Sequence, residues 1–239
     1  MTSSTPSPAF STAELRNGFE ACTRNALKLL ATAQKCVSPS ESKLWQENHA
    51  LGLSLAVLAL EEIAKFCLID ATLFSFENDD VVKDVRRKHI QHKSKLEYLQ
   101  IWPLILRHIV DHSGRAPEDK AHMLEFAASI ARCKAITTKM EKWIPGPDFT
   151  LLDQWKQRGF YVGLVDDRFQ TPSDAITRER AEEVVTFAHA VVGATALYGL
   201  HNIDGYLGWA SGIRGLLTPE AINQLRKVLR DARNETRES

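Results

Sequence analysis

The chain has 239 residues, 44% of them apolar and 25% charged, with 30 basic side chains balancing 30 acidic ones. That length supports a full hydrophobic core without metals or disulfides, and the zero net charge excludes a bulk electrostatic attraction to nucleic acid. The four cysteines, Cys22, Cys36, Cys67 and Cys133, form no C-x-x-C pair, so neither a structural zinc site nor a redox motif is expected and a reducing compartment fits best.

Residues 1–12 are rich in Ser, Thr and Pro and read as a disordered N-terminus, not a signal peptide. From Ala13 to Val37 the residues Leu15, Phe19, Cys22, Ala26, Leu29, Ala33 and Val37 recur at steps of three and four, which predicts an amphipathic helix. Asn25 lies beside this stripe, where a buried hydrogen bond is the expected role. A second helix is predicted from about Trp45 to Phe74. Its middle, Leu51 to Leu60, is apolar nearly all round and so belongs among other helices.

A third helical segment, Val81 to His112, should kink or restart at Pro103. A fourth, Pro117 to Trp143, opens on Pro117 and Glu118 and stops at Pro145-Gly146-Pro147. Residues 148–176 have a different texture. Trp155, Gly159 to Val162 and Asp166 to Phe169 suggest an extended segment or short hairpin. Thr177 begins another long helix, the chain then passes Gly199, Gly205 and Gly212, and Thr218-Pro219-Glu220 starts a final polar helix. The apolar runs Leu51 to Leu60 and Phe187 to Leu200 fall short of the ~20 residues that span a bilayer. No transmembrane helix is expected, and a cytoplasmic location follows.

The site-like feature is Glu61-Glu62-Ile63-Ala64-Lys65 on the second helix, followed by a basic stretch. Between Lys83 and Lys95 there are six Lys or Arg residues, two histidines and one acid, Asp84. Glu61 and Lys65 stand at the i,i+4 spacing of a helical ion pair. Two readings of Glu61, Glu62 and Lys65 remain open: support for chemistry in the basic stretch, or a structural network tying the second helix to the third. His89 and His92 share a helical spacing that a metal could use, but the Glu-x-x-His pattern of carboxylate bundle sites is absent; no metal and no cofactor is expected.

Four pieces together, Gly18 to Leu30, Leu55 to Lys65, His92 to Leu96 and Gly159 to Val162, resemble the AbiV family of bacterial abortive-infection proteins, a branch of the HEPN superfamily. The resemblance covers roughly residues 15–195. It implies an all-α, HEPN-like up-down helical bundle, with a short extended segment or hairpin around residues 159–169 and additional C-terminal helices. The domain would occupy residues 13–200, with a helical extension at 201–239. It also implies a homodimer and a role in antiphage defence.

HEPN ribonucleases carry an arginine followed, after four to six residues, by a histidine. Arg87 and His92 fit with four residues between them, and Arg86 and His92 with five. Lys88 follows Arg87 where the nuclease motif usually places Asn, Asp or His. The resemblance makes Arg87 and His92 the candidate catalytic pair, with Arg86, Glu61, Glu62, Lys65 and Asn25 in support. Lys88, His89, Lys93 and Lys95 are the candidate RNA-binding residues. On one ideal helix, residues five apart point about 140° away from each other, so the family's composite site at a two-fold interface is the natural way to collect both. The alternatives are a non-catalytic module that binds RNA or a phage or host protein, and a purely structural bundle.

Overall fold

The computed structural model describes residues 11–38, 48–73, 95, 96, 99, 102–112, 149–215, 218, 220, 223 and 227. Its helices are α1 (Thr12–Val37), α2 (His49–Leu73), α3 (Trp102–His112), α4 (Phe149–Phe160), the single turn α5 (Pro172–Ala175), α6 (Arg178–Ala194) and α7 (Leu200–Gly215). A two-stranded antiparallel hairpin, β1 (Gly163–Val165) and β2 (Arg168–Gln170), is the sheet among the described residues. Apart from this hairpin, the described residues form an all-α fold.

Helix α1 starts where Ser11 and Glu14 form a reciprocal capping box, satisfying two otherwise orphaned backbone donors. It buries Leu15, Phe19, Cys22, Ala26, Leu30, Ala33 and Val37; Leu30, not Leu29, takes the deepest position on that turn. Helix α2 is the central element, packed along α1, α6 and α4. Its burial of Leu53, Ala56, Val57, Ala59, Leu60, Ile63 and Ala64 matches the apolar run in the sequence. The close α1–α2 approach depends on Gly52, where a Cβ would lie 3.0 Å from side-chain atoms of both Cys36 and Val37.

Two apolar clusters divide the core. One gathers α1, α2, α4 and α6 around Leu53, Leu60, Leu152 and Val184, and includes Leu96 and Leu99. The other joins the start of α1, the far part of α2, α3 and α7 around Phe19, Phe66, Ile109 and Tyr206. Residues 203–210 are therefore as deeply built into the bundle as α1.

The short hairpin expected around residues 159–169 is present, while the residues before it depart from the extended reading. Residues 149–160 are helical, and the hairpin covers only 163–170. The tight turn is Asp166-Asp167, with φ of 49° and 60°, the two left-handed residues of a type I′ turn, which Asp tolerates. Next, α6 and α7 are joined by a π-helical turn, Thr195–Gly199, with no break at Gly199 or Gly205. The Thr195 hydroxyl accepts from Trp102 Nε1 at 2.7 Å and donates to the Val191 carbonyl at 2.8 Å, fixing α3 on the π turn.

The joined helix, Arg178–Gly212, is by length and composition apolar enough to cross a membrane, although the run Phe187 to Leu200 within it is too short to do so alone. Core helices pass the same test. Here Ala181, Val184, Val185, Ala188 and Val192 pack in the first cluster and Ile203 to Ala210 in the second. Near the C-terminus, Glu220, Asn223 and Lys227 are helical, as expected.

Candidate functional site

The described part of the candidate site is a group of charges inside the bundle. Glu61, in the middle of α2, is 1% exposed, and Lys156 of α4 and Lys95 are buried with it. Lys156 Nζ donates to Glu61 Oε1 at 2.6 Å and lies 2.7 Å from Asp153 Oδ1. The other Glu61 oxygen, Oε2, lies 4.0 Å from Lys95 Nζ. One carboxylate thus faces two ammonium groups from two other parts of the chain. Buried charges persist only when paired, and this trio with Asp153 is balanced.

Each partner is placed by its element. On α4, Leu152, Lys156 and Gly159 are four and three residues apart and form one buried stripe. Gly159 lets α4 come close: a Cβ there would lie 2.1 Å from Ser54 Oγ and 2.6 Å from the Ala50 carbonyl. The Ser54 hydroxyl lies 3.1 Å from the Ala50 carbonyl and 3.0 Å from the Lys156 carbonyl, bonding α2 to α4 beside the ion cluster. Lys95 stands next to Leu96 in the apolar core. Burial lowers its pKa from the ordinary lysine value, with the neighbouring Lys65 and Lys156 acting in the same direction and Glu61 and Glu62 opposing.

Glu62 is rotated about 100° from Glu61 on the helix and pairs with Lys65 on α2 itself. The sequence spacing had pointed to a Glu61–Lys65 pair. Lys65 takes Glu62 because Glu61 turns inward to Lys156. Next to this pair, on α1, the Cys22 thiol is pushed up from 9.0 to about 11, first by burial and then by the Glu62 carboxylate. Cys22, Cys36 and Cys67 are all buried.

Lys95 does not lie on a solvated basic face; its side chain is buried toward Glu61, beside the buried apolar Leu96 and Leu99. Asn25 is exposed instead of making the expected buried hydrogen bond, since the buried stripe of α1 runs through Cys22, Ala26 and Leu30. Arg86, Arg87, Lys88, His89, His92 and Lys93, like the predicted Pro117 to Trp143 helix and Cys133, lie outside the described residues.

Sequence reasoning missed Lys156 and Asp153. The available signal was a lysine at the i+4 position from Leu152 and the i−3 position from Gly159, on a stripe otherwise apolar or small. It was hidden because residues 148–176 read as extended.

The family model of AbiV, a HEPN family, matches residues 14–193. No curated protein matches the chain, and no solved structure does. The match spans α1, the whole of α2 with Glu61, the Arg87–His92 spacing, and α4 with Lys156. The chain belongs to the AbiV family of abortive-infection HEPN proteins.

Proposed function

We propose that this AbiV-family chain is an antiphage effector that cleaves RNA without a metal ion, working in the cytoplasm as a homodimer. The observation that carries the reading is the family match over residues 14–193, which takes in an arginine and a histidine at the HEPN nuclease spacing. His92 has the side chain whose ordinary pKa suits proton transfer near neutrality. Arg87, or Arg86 beside it, has the planar guanidinium that suits a phosphate carrying extra negative charge.

In this chemistry a base removes the 2′-hydroxyl proton and O2′ attacks phosphorus. The P–O5′ bond then breaks and an acid protonates the leaving oxygen. The arginine stabilises the charge that accumulates on the phosphorane. The products are a 2′,3′-cyclic phosphate and a 5′-hydroxyl, and DNA, lacking the 2′-hydroxyl, is not a substrate. Two copies bring the arginine and histidine together across a two-fold interface.

A non-catalytic module for RNA or for a phage or host protein is the second reading. Lys88, in the place where active nucleases carry Asn, Asp or His, favours it. The two readings separate on purified protein incubated with RNA in excess chelator. The nuclease reading expects cyclic-phosphate ends, with a rate falling at least 10²-fold in His92→Ala, on the scale of general acid–base catalysis. Cutting by His92→Ala at the parent rate refutes it, and intact RNA with the parent protein leaves the binding module.

A further inference from the structure

Six of the ten large apolar side chains exposed among the described residues fall between Phe160 and Phe169. They are Phe160 and Tyr161 at the end of α4, then Val162, Leu164, Val165 and Phe169 in and beside the hairpin. The ladder sets Leu164 directly opposite Phe169 and Val165 opposite Arg168, so each pair lies on its own face of the hairpin. Leu164 is 63% exposed and Phe169 82%, which leaves their face open to solvent. With a whole aromatic residue taken as about 150–250 Å², the six side chains present on the order of 600 Å², the top of the range for one patch on a monomer.

The charges of the same region have a direction. Asp166 and Asp167 form the tip of the hairpin, and Arg158 stands at its base in the last turn of α4. All three are exposed, and among the described residues none of them makes an ion pair. A surface that is acidic at one end and basic at the other is complementary to a copy of itself turned end for end, as a two-fold interface requires. It suits RNA less well, because the backbone phosphates would meet the two carboxylates at the tip.

We propose that the Leu164–Phe169 face of the hairpin is an interface with a second copy of this chain. The two hairpins lie antiparallel and face to face, with Phe169 over Phe169 of the second copy and Leu164 over Leu164. Each acidic tip then reaches the Arg158 end of the other hairpin. The pair buries on the order of 1,200 Å² in all, the low end for a specific interface, so the expected Kd is on the order of 10 µM. This inference rests on the homodimer in the reading above and names a surface for it; it does not depend on RNA cleavage.

The test is sedimentation velocity of the full chain from about 1 to about 100 µM, either side of that Kd. The parent should pass from one copy to two over this range. Phe169→Asp should weaken pairing at least tenfold, because it sets two carboxylates against each other in a desolvated contact. At about 1 µM, where the copies are apart, Phe169→Asp should unfold in urea at the parent's midpoint, so that pairing is lost and not the fold. Arg158→Glu should weaken pairing about tenfold at about 50 mM salt and less than about threefold at about 0.5 M, where exposed charges are screened. A short bifunctional thiol crosslinker should link copies of Phe169→Cys and not of Arg168→Cys, on the opposite face, with the parent as control for the native thiols.

If Phe169→Asp pairs as the parent does, the proposal is overturned and the homodimer must use another surface; loss of RNA binding in that variant would give the face to RNA instead. A parent that stays single at about 100 µM removes the homodimer and the proposal together. Equal crosslinking of Phe169→Cys and Arg168→Cys, or Arg158→Glu without effect at low salt, overturns the antiparallel arrangement. Should Phe169→Asp fail to fold, Leu164→Lys replaces it, and pairing unchanged by that substitution is equally fatal.

Discussion

The molecule holds two groups of residues against the usual partition of polar and apolar. Inside, around α2 and α4, Glu61, Lys95 and Lys156 are charged and buried. Outside, on and beside the β1–β2 hairpin, Tyr161, Leu164 and Phe169 are apolar and open to solvent, Phe169 at 82% exposure. The interior group is tied by ion pairs to three separate parts of the chain. The hairpin is tied mainly to itself, with Leu164 opposite Phe169 across the ladder, and a lone two-stranded hairpin is marginal in water. Charge that has been desolvated must be satisfied by the fold; apolar surface left in water costs the folded state little. The two groups should therefore answer mutation very differently.

The largest effect is expected at Glu61. Glu61→Ala takes the carboxylate from the buried Lys95 and leaves Lys156 with Asp153 alone, and should lower stability by about 3–5 kcal/mol in urea denaturation. A loss no larger than that of an exposed residue would erase the comparison. Gly159→Ala comes next. Its methyl group meets the Ser54 hydroxyl and the Ala50 carbonyl, so overpacking should cost about 2–3 kcal/mol, with α4 loosened first in hydrogen exchange.

The interior also carries a pH signature. The native Cys22 thiol ionises near pH 11 and an unfolded one near 9.0, so the native state holds the proton more tightly. That stability is fully present at neutral pH, declines as pH rises above 9 and is gone above about 11, on the order of 2 kcal/mol in all. Lys95, whose pKa is lowered in the fold, works in the opposite sense, gaining stability as pH rises. The Cys22 contribution is therefore read as the difference between the parent and Cys22→Ala in denaturation midpoints at pH 7 and pH 11. A difference independent of pH contradicts it. The smallest effect is expected on the other side of the comparison: Phe169→Ser should change stability by less than about 0.5 kcal/mol. A loss of several kcal/mol would show that the hairpin is held by more than its own ladder.

Much of this arrangement was legible in the sequence, through periodicity. The α1 stripe from Leu15 to Val37, the all-round apolar middle of α2 and the Thr177 cap of α6 all follow from local rules that the fold obeys. Those rules failed where tertiary contacts overrode them. Trp155 and Gly159 to Val162 favour extended backbone, yet Gly159 is in a helix because only glycine permits α4 to reach Ser54 and Ala50. Periodicity said nothing of the π turn in which Gly199 lies against Leu106 and Phe66. A lysine is normally assigned to solvent, which concealed Lys156, and the i,i+4 rule that paired Glu61 with Lys65 knows nothing of an ammonium arriving from α4.

The coupling between Glu61 and Lys156 tests the central claim most directly, by a double-mutant cycle of Glu61→Gln and Lys156→Met in urea denaturation. A buried pair that organises the bundle predicts a coupling energy of about 2–3 kcal/mol, with the double variant more stable than the sum of the single losses allows. Additive losses, with coupling below about 0.5 kcal/mol, would contradict it, because Glu61 would then not be held in place by Lys156.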